Sequence, residues 1–279
     1  MKKIITLIML LSVSATSQDT TAIDTTWQKE AVGSFSFSQA HFDNWATGGE
    51  NTLAHQFDLG GKLIYNRDKY TWTNTGKIAF GNSKIGDSDT KKTMDEIRVE
   101  SLLTYLWKFQ PDPYLSLKGE TQLAPGYVYD ETGKTQISEF LDPGYFTQSA
   151  GFIYNPKEEL SVRFGAAVKE TITKDYPSPF TDDLETEEIE KTKIEPGVES
   201  VIAFSKKISE NTLINSTIDI FNNFAGFDAT DVRWDTDITT QITKYINVKF
   251  NVKIFYDKDI STRRQLNQSL LLGISYTLL

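Results

Sequence analysis

With 279 residues the chain is long enough for one large all-β domain or two ordinary ones. Its 38 acidic side chains against 29 basic ones give a formal charge of −9, which repels phosphate backbones and argues against a nucleic-acid partner. Cysteine is absent, so the chain has neither disulfides nor the lipid-modified N-terminal cysteine of bacterial lipoproteins, and any membrane attachment must come from the fold.

Lys2 and Lys3 precede the apolar run of residues 4–13, and the small residues Ala15 and Ser17 follow it. A cationic start, a run too short to span a bilayer and an A-x-S ending predict a signal peptide over residues 1–17. Its removal takes two lysines and no acid, which moves the formal charge from −9 to −11. Residues 18–30 read as a periplasmic lead-in, and residues 31–279 as one domain. That domain contains no run of eighteen apolar residues, so a helical membrane span is not expected.

Strict alternation of apolar and polar residues takes the place of such a span. After an opening strand around residues 32–41, Leu53, Phe57, Leu59, Leu63 and Tyr65 share one parity, while Gln56, Asp58 and Lys62 share the other. A period of two puts these sets on opposite faces of a strand. Residues 70–80 repeat the pattern, with Tyr70, Trp72, Ile78 and Phe80 opposite Thr71, Thr73, Thr75 and Lys77. Residues 97–109 set Ile97, Val99, Leu103, Tyr105, Trp107 and Phe109 against Arg98, Glu100, Thr104 and Lys108, with Leu102 and Leu106 as exceptions. Similar stretches follow at residues 115–123, 146–154, 160–168, 194–204, 212–220, 232–242, 248–256 and 266–278. Pro196 falls within one of them, where it would delete a ladder hydrogen bond, so a later start or a bulge is expected there.

About twelve strands result, many long enough to cross a bilayer at a tilt. Short polar turns at residues 67–69, 110–113, 155–158, 207–211 and 244–245 interleave with longer segments at 44–51, 82–93, 124–142, 173–191, 222–230 and 257–264. This rhythm predicts a transmembrane antiparallel up-and-down β-barrel in the bacterial outer membrane, with both termini periplasmic. Tyr65, Tyr70, Trp72, Trp107, Phe109, Tyr154 and Phe204 gather beside the short turns, and Tyr276 stands near the C-terminal end, as an aromatic girdle would require. The last stretch ends the chain and is placed to close against the first, although it finishes with Leu278 and Leu279 rather than an aromatic residue.

Several motifs carry a family resemblance. Ser36 and Gln39 precede Asn44, Trp45, Ala46, Thr47, Gly48 and Gly49, and Lys92, Thr93, Met94, Asp95 and Ser101 follow. The stretches from Thr121 through Pro125 and Gly126 to Tyr127, from Phe140 through Pro143 and Gly144 to Tyr145, and Gly273, Ile274, Ser275 and Tyr276 complete the set. Together these resemble a family of uncharacterised outer-membrane proteins of Bacteroidota-type bacteria, known only as a domain of unknown function. The resemblance implies a barrel and no activity.

The inward faces collect Lys62, Lys77, Arg98, Glu100, Lys118, Glu120, Arg163, Lys169, Glu199, Arg233, Asp235, Lys249 and Lys253. Charge near the bilayer midplane costs ~2–4 kcal/mol, so these side chains must turn away from lipid. They constitute either a selectivity lining for small solutes or a salt-bridge network that fills a narrow lumen. The only histidines, His41 and His55, fall by parity on the lipid side, with Asn74 outward on the next strand. This loosely resembles the outward-facing catalytic groups of the twelve-stranded outer-membrane phospholipase, but no serine has the matching motif context. The acidic stretch of residues 182–190 lacks the spacing of a calcium loop and reads as a solvated loop. Gly48 with Gly49 and Pro125 with Gly126 read as turns, since no helix follows to hold a phosphate.

The sequence therefore anticipates a monomeric barrel in outer-membrane lipid, without cofactor, metal or catalytic residues, serving as a narrow channel or transporter for small polar solutes. A structural or assembly partner of envelope proteins, acting through residues 44–51 and 124–142, is the first alternative. A lipid-modifying enzyme is the second.

Overall fold

The structure, a computed structural model, describes residues 27–44, 46–130, 133–183, 186–226 and 230–279. Its strands are β1 (Trp27–Ala40), β2 (Thr52–Arg67), β3 (Tyr70–Ile85), β4 (Lys91–Tyr105), β5 (Asp112–Thr121), β6 (Gly126–Asp130), β7 (Gly133–Ser138), β8 (Gly144–Lys157), β9 (Leu160–Ile172), β10 (Thr192–Ser209), β11 (Thr212–Asn222), β12 (Thr230–Gln241), β13 (Ile246–Tyr256) and β14 (Gln265–Thr277). Twelve of them close an antiparallel barrel in the order β1-β14-β13-β12-β11-β10-β9-β8-β5-β4-β3-β2, and β6 and β7 form a separate hairpin. The hairpin lies inside the segment anticipated as a plain loop at residues 124–142.

Apart from β1 with β14, every barrel neighbour is also a neighbour in sequence once the hairpin is set aside, so the topology is a meander closed on itself. Closure matters in lipid because an open sheet edge leaves backbone donors and acceptors without water. The β2–β3, β4–β5, β8–β9, β10–β11 and β12–β13 connections share one end of the barrel with the start of β1 and the end of β14, the terminal end, and the other six connections share the opposite one, the loop end. The expected signal peptide and residues 18–26 of the lead-in lie outside the described residues. The last four residues of that lead-in, 27–30, are not a lead-in but the start of β1, paired with β2 from Trp27↔Tyr65 onward.

The two faces of the sheet differ as the alternation requires. Leu270, Phe35, Phe57, Leu117 and Phe164 stand well exposed on the exterior, whereas Gln56, Glu96, Lys118, Arg163 and Glu199 are buried inside. This arrangement fixes the register. A slip by one residue would turn Lys77, Arg98 and their partners to the lipid and bring leucines into the lumen. At the terminal end Trp27 packs on Tyr65 with ring centroids 4.7 Å apart, Tyr70 on Tyr105 at 5.0 Å and Trp107 on Phe152 at 6.1 Å. The girdle thus includes Trp27, Tyr105 and Phe152 beside several residues anticipated for it.

Two local expectations are corrected. β4 ends at Tyr105, and Trp107 and Phe109 belong to the following turn, where Trp107 Nε1 donates to the Pro111 carbonyl at 2.8 Å. Pro196 sits inside an unbroken strand that starts early, at Thr192. Pro196 pairs with Val168 of β9 without a register shift, while β11 joins β10 only from Val198 onward. On its β11 side there is no ladder at that height for the proline to interrupt.

Candidate functional site: the charged lumen

The interior of the barrel is a belt of ion pairs held by strands on opposite walls. Arg233 of β12 reaches Glu96 of β4 and Glu120 of β5. Arg98 of β4 meets Asp219 of β11 at 2.6 Å and Glu120 at 3.2 Å. Lys118 of β5 meets Glu199 of β10 at 2.6 Å and Asp219 at 2.9 Å. Lys77 of β3 lies 3.3 Å from Asp235 and 3.5 Å from Glu96, and Lys253 of β13 contacts Glu96 while standing 3.7 Å from Asp235. Each of these cations touches more than one carboxylate, and each of Glu96, Glu120, Asp219 and Asp235 touches more than one cation.

Side groups extend the belt along the axis. Toward the terminal end Arg163 pairs with Glu100, which also accepts the Ser116 hydroxyl at 3.0 Å, and the Arg163 guanidinium lies 5.6 Å over the Tyr114 ring. Lys249 lies 3.3 Å from Asp237 and 3.7 Å from Asp58. Toward the loop end Lys169 pairs with Asp231 at 2.6 Å and Asp257 at 3.4 Å, and Lys193 bridges to Glu195 at 3.1 Å.

Of the thirteen lumen residues anticipated from parity, all but Lys62 enter this network of ion pairs. Lys62 points inward near the terminal end and stays exposed. Sequence reasoning missed several carboxylates that answer the lysines and arginines, above all Glu96, Asp219 and Asp231. Glu96 shares the parity of Arg98 and Glu100, and Asp219 that of Thr217 within an anticipated strand, so the signal for both was present.

Above the belt the lumen opens into two cavities. One, of about 420 Å³, is lined by Lys92, Asp95, Glu96, Gln122, Arg233 and Lys253 among others. The second, of about 490 Å³, reaches Tyr145, Lys169, Phe221, Asp231 and Asp257. Phe180, from the connection between β9 and β10, lines both. That connection is fastened by Asp142, whose buried carboxylate accepts the backbone N–H groups of Lys174 at 3.0 Å, Asp175 at 2.6 Å and Tyr176 at 3.2 Å. Glu139 and Asp175 bring carboxylate oxygens within 4.8 Å of that of Asp142, but both Asp142 oxygens are already engaged by these backbone donors. In the acidic stretch the exposed Glu190 carboxylate accepts the Thr186 hydroxyl at 2.6 Å and the Asp183 N–H at 3.0 Å, and these bonds hold its pKa below the usual range.

The arrangement of His41, His55 and Asn74 considered from sequence is not assembled. His41 lies in the connection after β1 rather than on a strand. His55 pairs with Asn82 on β3, eight residues along that strand from Asn74, which places the two side chains roughly 26 Å apart at ~3.3 Å per residue.

A closed up-and-down antiparallel barrel with an apolar exterior and a charged interior is a transmembrane barrel of the outer-membrane class. Within that class, residues 37–127 match a family described as "Protein of unknown function (DUF3078)". The match covers about a third of the chain, from the end of β1 to the start of the hairpin, and includes the motif residues from Gln39 to Tyr127. No curated protein matches the chain. Among solved structures, the outer membrane channel from Pseudomonas putida F1 is similar at 11% identity over 90% of this chain and 95% of that one, with a TM-score of 0.43. The translocator domain of the autotransporter NalP from Neisseria meningitidis is similar at 11% identity over 89% and 86%, with a TM-score of 0.37. The NanC porin is similar at 10% identity over 89% and 100%, also with a TM-score of 0.37. Likenesses at this level carry no argument about what the barrel does.

Proposed function

We propose that the protein is a narrow, monomeric outer-membrane channel for small polar solutes, closed in this conformation by its own ion pairs. One observation carries this reading: opposite walls are joined by side chains, through Arg233 to Glu96 and Glu120 and Arg98 to Asp219. Among the described residues, every strand except those of the β6–β7 hairpin belongs to the wall. A barrier of this kind can rearrange. Because Lys77 and Lys253 share Glu96 and Asp235, either can change partner without leaving a charge uncompensated, which is the costly event inside a protein. The charged cavities above the belt suit hydrated, polar solutes, and the mixture of signs suits neutral or zwitterionic solutes more than one class of ion. The general pattern of short periplasmic turns and long external loops supports periplasmic termini.

Release of trapped polar solutes of graded size from proteoliposomes tests the channel. Size-limited release faster than from empty vesicles is expected. Release indistinguishable from empty vesicles at every ionic strength would remove this reading.

A second reading, docking of an envelope partner at the loop end, is favoured by the β6–β7 hairpin, where Tyr127, Val128 and Tyr129 are exposed. Site-directed cross-linking from Val128 in cells would capture such a partner, and an absence of any adduct would count against it.

A further inference from the structure

The β1–β14 seam is the most sparsely paired of the barrel, with five residue pairs against eight on the next shortest, β4–β5. β1 and β14 pair only from Val32↔Thr277 to Ser36↔Gly273. Beyond that point β1 continues to Ala40 against β2, and β14 reaches back to Gln265 against β13, yet neither meets the other. Gly273 marks the last close approach, for a Cβ there would lie 2.3 Å from Ser36 Oγ and 2.8 Å from the Phe35 carbonyl oxygen. Above it lies a slot of about 580 Å³ between the two strands.

Three observations define what the slot is. First, it opens at bilayer height. Outward along β14 stand Leu266, Leu270, Leu272, Ile274 and Tyr276, all exposed, and the ten steps from Tyr276 to Leu266 cover about 25 Å of height at ~3.3 Å rise and ~40° tilt, the height of a lipid-facing band. Second, its lining carries no lysine, arginine or carboxylate: Ser36, Ser38, Gln56, Thr93, Asn267 and Ser269 offer uncharged polar groups beside the apolar Met94 and Leu271. The buried Ser269 hydroxyl has no hydrogen-bond partner. Third, Thr93, Met94 and Asn267 line both the slot and the cavity above the ion-pair belt, so the two adjoin. Unpaired strand edges at membrane depth are tolerated where they line a cavity, and the hydroxyl and amide side chains of the slot offer such edges polar partners there.

We propose that the unzipped β1–β14 seam is a lateral portal for single-chain amphiphiles with an uncharged polar head, whose head enters the slot while the tail stays in the surrounding lipid. The ion-pair belt bars the path toward the terminal end, so this route joins the upper cavity to the loop-side half of the bilayer without crossing the barrel. The proposal stands apart from conduction through the lumen: a portal can exist beneath a sealed or an open belt.

The absence of native cysteine makes the test clean. Ser34 and Ser275 are direct partners across the zipped part of the seam, so Ser34→Cys with Ser275→Cys is expected to form a disulfide on mild oxidation. Ser38 and Leu271 would pair if the same register continued, and Ser38→Cys with Leu271→Cys is expected to stay reduced, yet to be joined by a longer bis-maleimide. Equal disulfide yield in the two variants would show the seam closed and overturn the proposal. The parent protein, placed in vesicles containing monoacylglycerol with a diazirine on the glycerol head, is expected to label at Gln56, Met94 and Ser269. The bis-maleimide-bridged protein is expected to lose at least tenfold of that labelling. Labelling confined to the outer leucines, labelling unchanged by the bridge, or a protein adduct at the seam cysteines in cells in place of lipid would each contradict it. None of these readouts depends on solute release, so the portal and the channel fail separately.

Discussion

Arg233 on β12 and Glu96 on β4 stand six steps apart around a ring of twelve strands, on diametrically opposed walls, and their side chains meet across the lumen. The pair does not stand alone. The Arg233 guanidinium divides itself between Glu96 and Glu120, while Glu96 also holds Lys77 and Lys253. Glu96 is thus the hub at which four strands of the wall, β3, β4, β12 and β13, are tied together.

Removing this hub leaves three cations facing one another in a poorly solvated space. Glu96→Ala is expected to lower barrel stability by ~3 kcal/mol, the lower end of the cost of breaking a buried ion pair, because Arg233 keeps Glu120 and Lys77 and Lys253 keep Asp235. Glu96→Asp, which keeps the charge, is expected to lose far less. The urea midpoint for conversion of the compact to the unfolded electrophoretic band measures both. A Glu96→Ala midpoint equal to that of the parent would mean that the ion pairs do not hold the walls together.

Where strands approach most closely, space rather than charge governs. Gly151 and Gly165 are direct partners on β8 and β9. A Cβ on Gly151 would lie 2.1 Å from the Phe164 carbonyl oxygen, and one on Gly165 would lie 2.7 Å from the Tyr114 hydroxyl. Gly151→Val is expected to prevent assembly, seen as loss of the compact band after refolding into detergent. Gly60→Val, at a site with no neighbouring atom within 4 Å, is the control expected to fold.

The loop end has its own fastener. Asp142→Ala deprives three backbone N–H groups of their acceptor, at a cost of about 1–3 kcal/mol if they stay buried. Residues 173–191 are expected to become cleavable by externally added protease, with the barrel midpoint unchanged. Equal protease resistance in parent and variant would show that Asp142 does not hold this connection.

The legible and illegible parts of this architecture divide along a physical line. Within the lipid band one face of each strand must be apolar and the other must not, so parity alone placed Lys77, Arg98, Lys118 and Arg233 inside. Beyond the band that constraint lapses. β4 begins at Lys91, and every residue from Lys91 to Glu96 except Met94 is polar, so the stretch holding Glu96 merged with the preceding loop. The short β6–β7 hairpin escaped notice for the same reason. Which residues face each other across the lumen depends on tilt and stagger around the whole ring, a relation between strands far apart in sequence, and no periodicity within one strand encodes it. The sparsely paired seam is illegible in the same way, since the pairing of the first strand with the last is a relation between the two ends of the chain.

The central claim is that the ion-pair belt is the barrier within a conducting path. Planar-bilayer recordings of the parent and of Glu96→Gln with Asp219→Asn, both confirmed as compact barrels, test it most directly. Brief, infrequent openings are expected from the parent, and a severalfold greater open probability from the variant at the same voltage and salt. A variant that folds yet passes no more current than the parent would place the barrier elsewhere, and silence from both would mean that the barrel is not a channel.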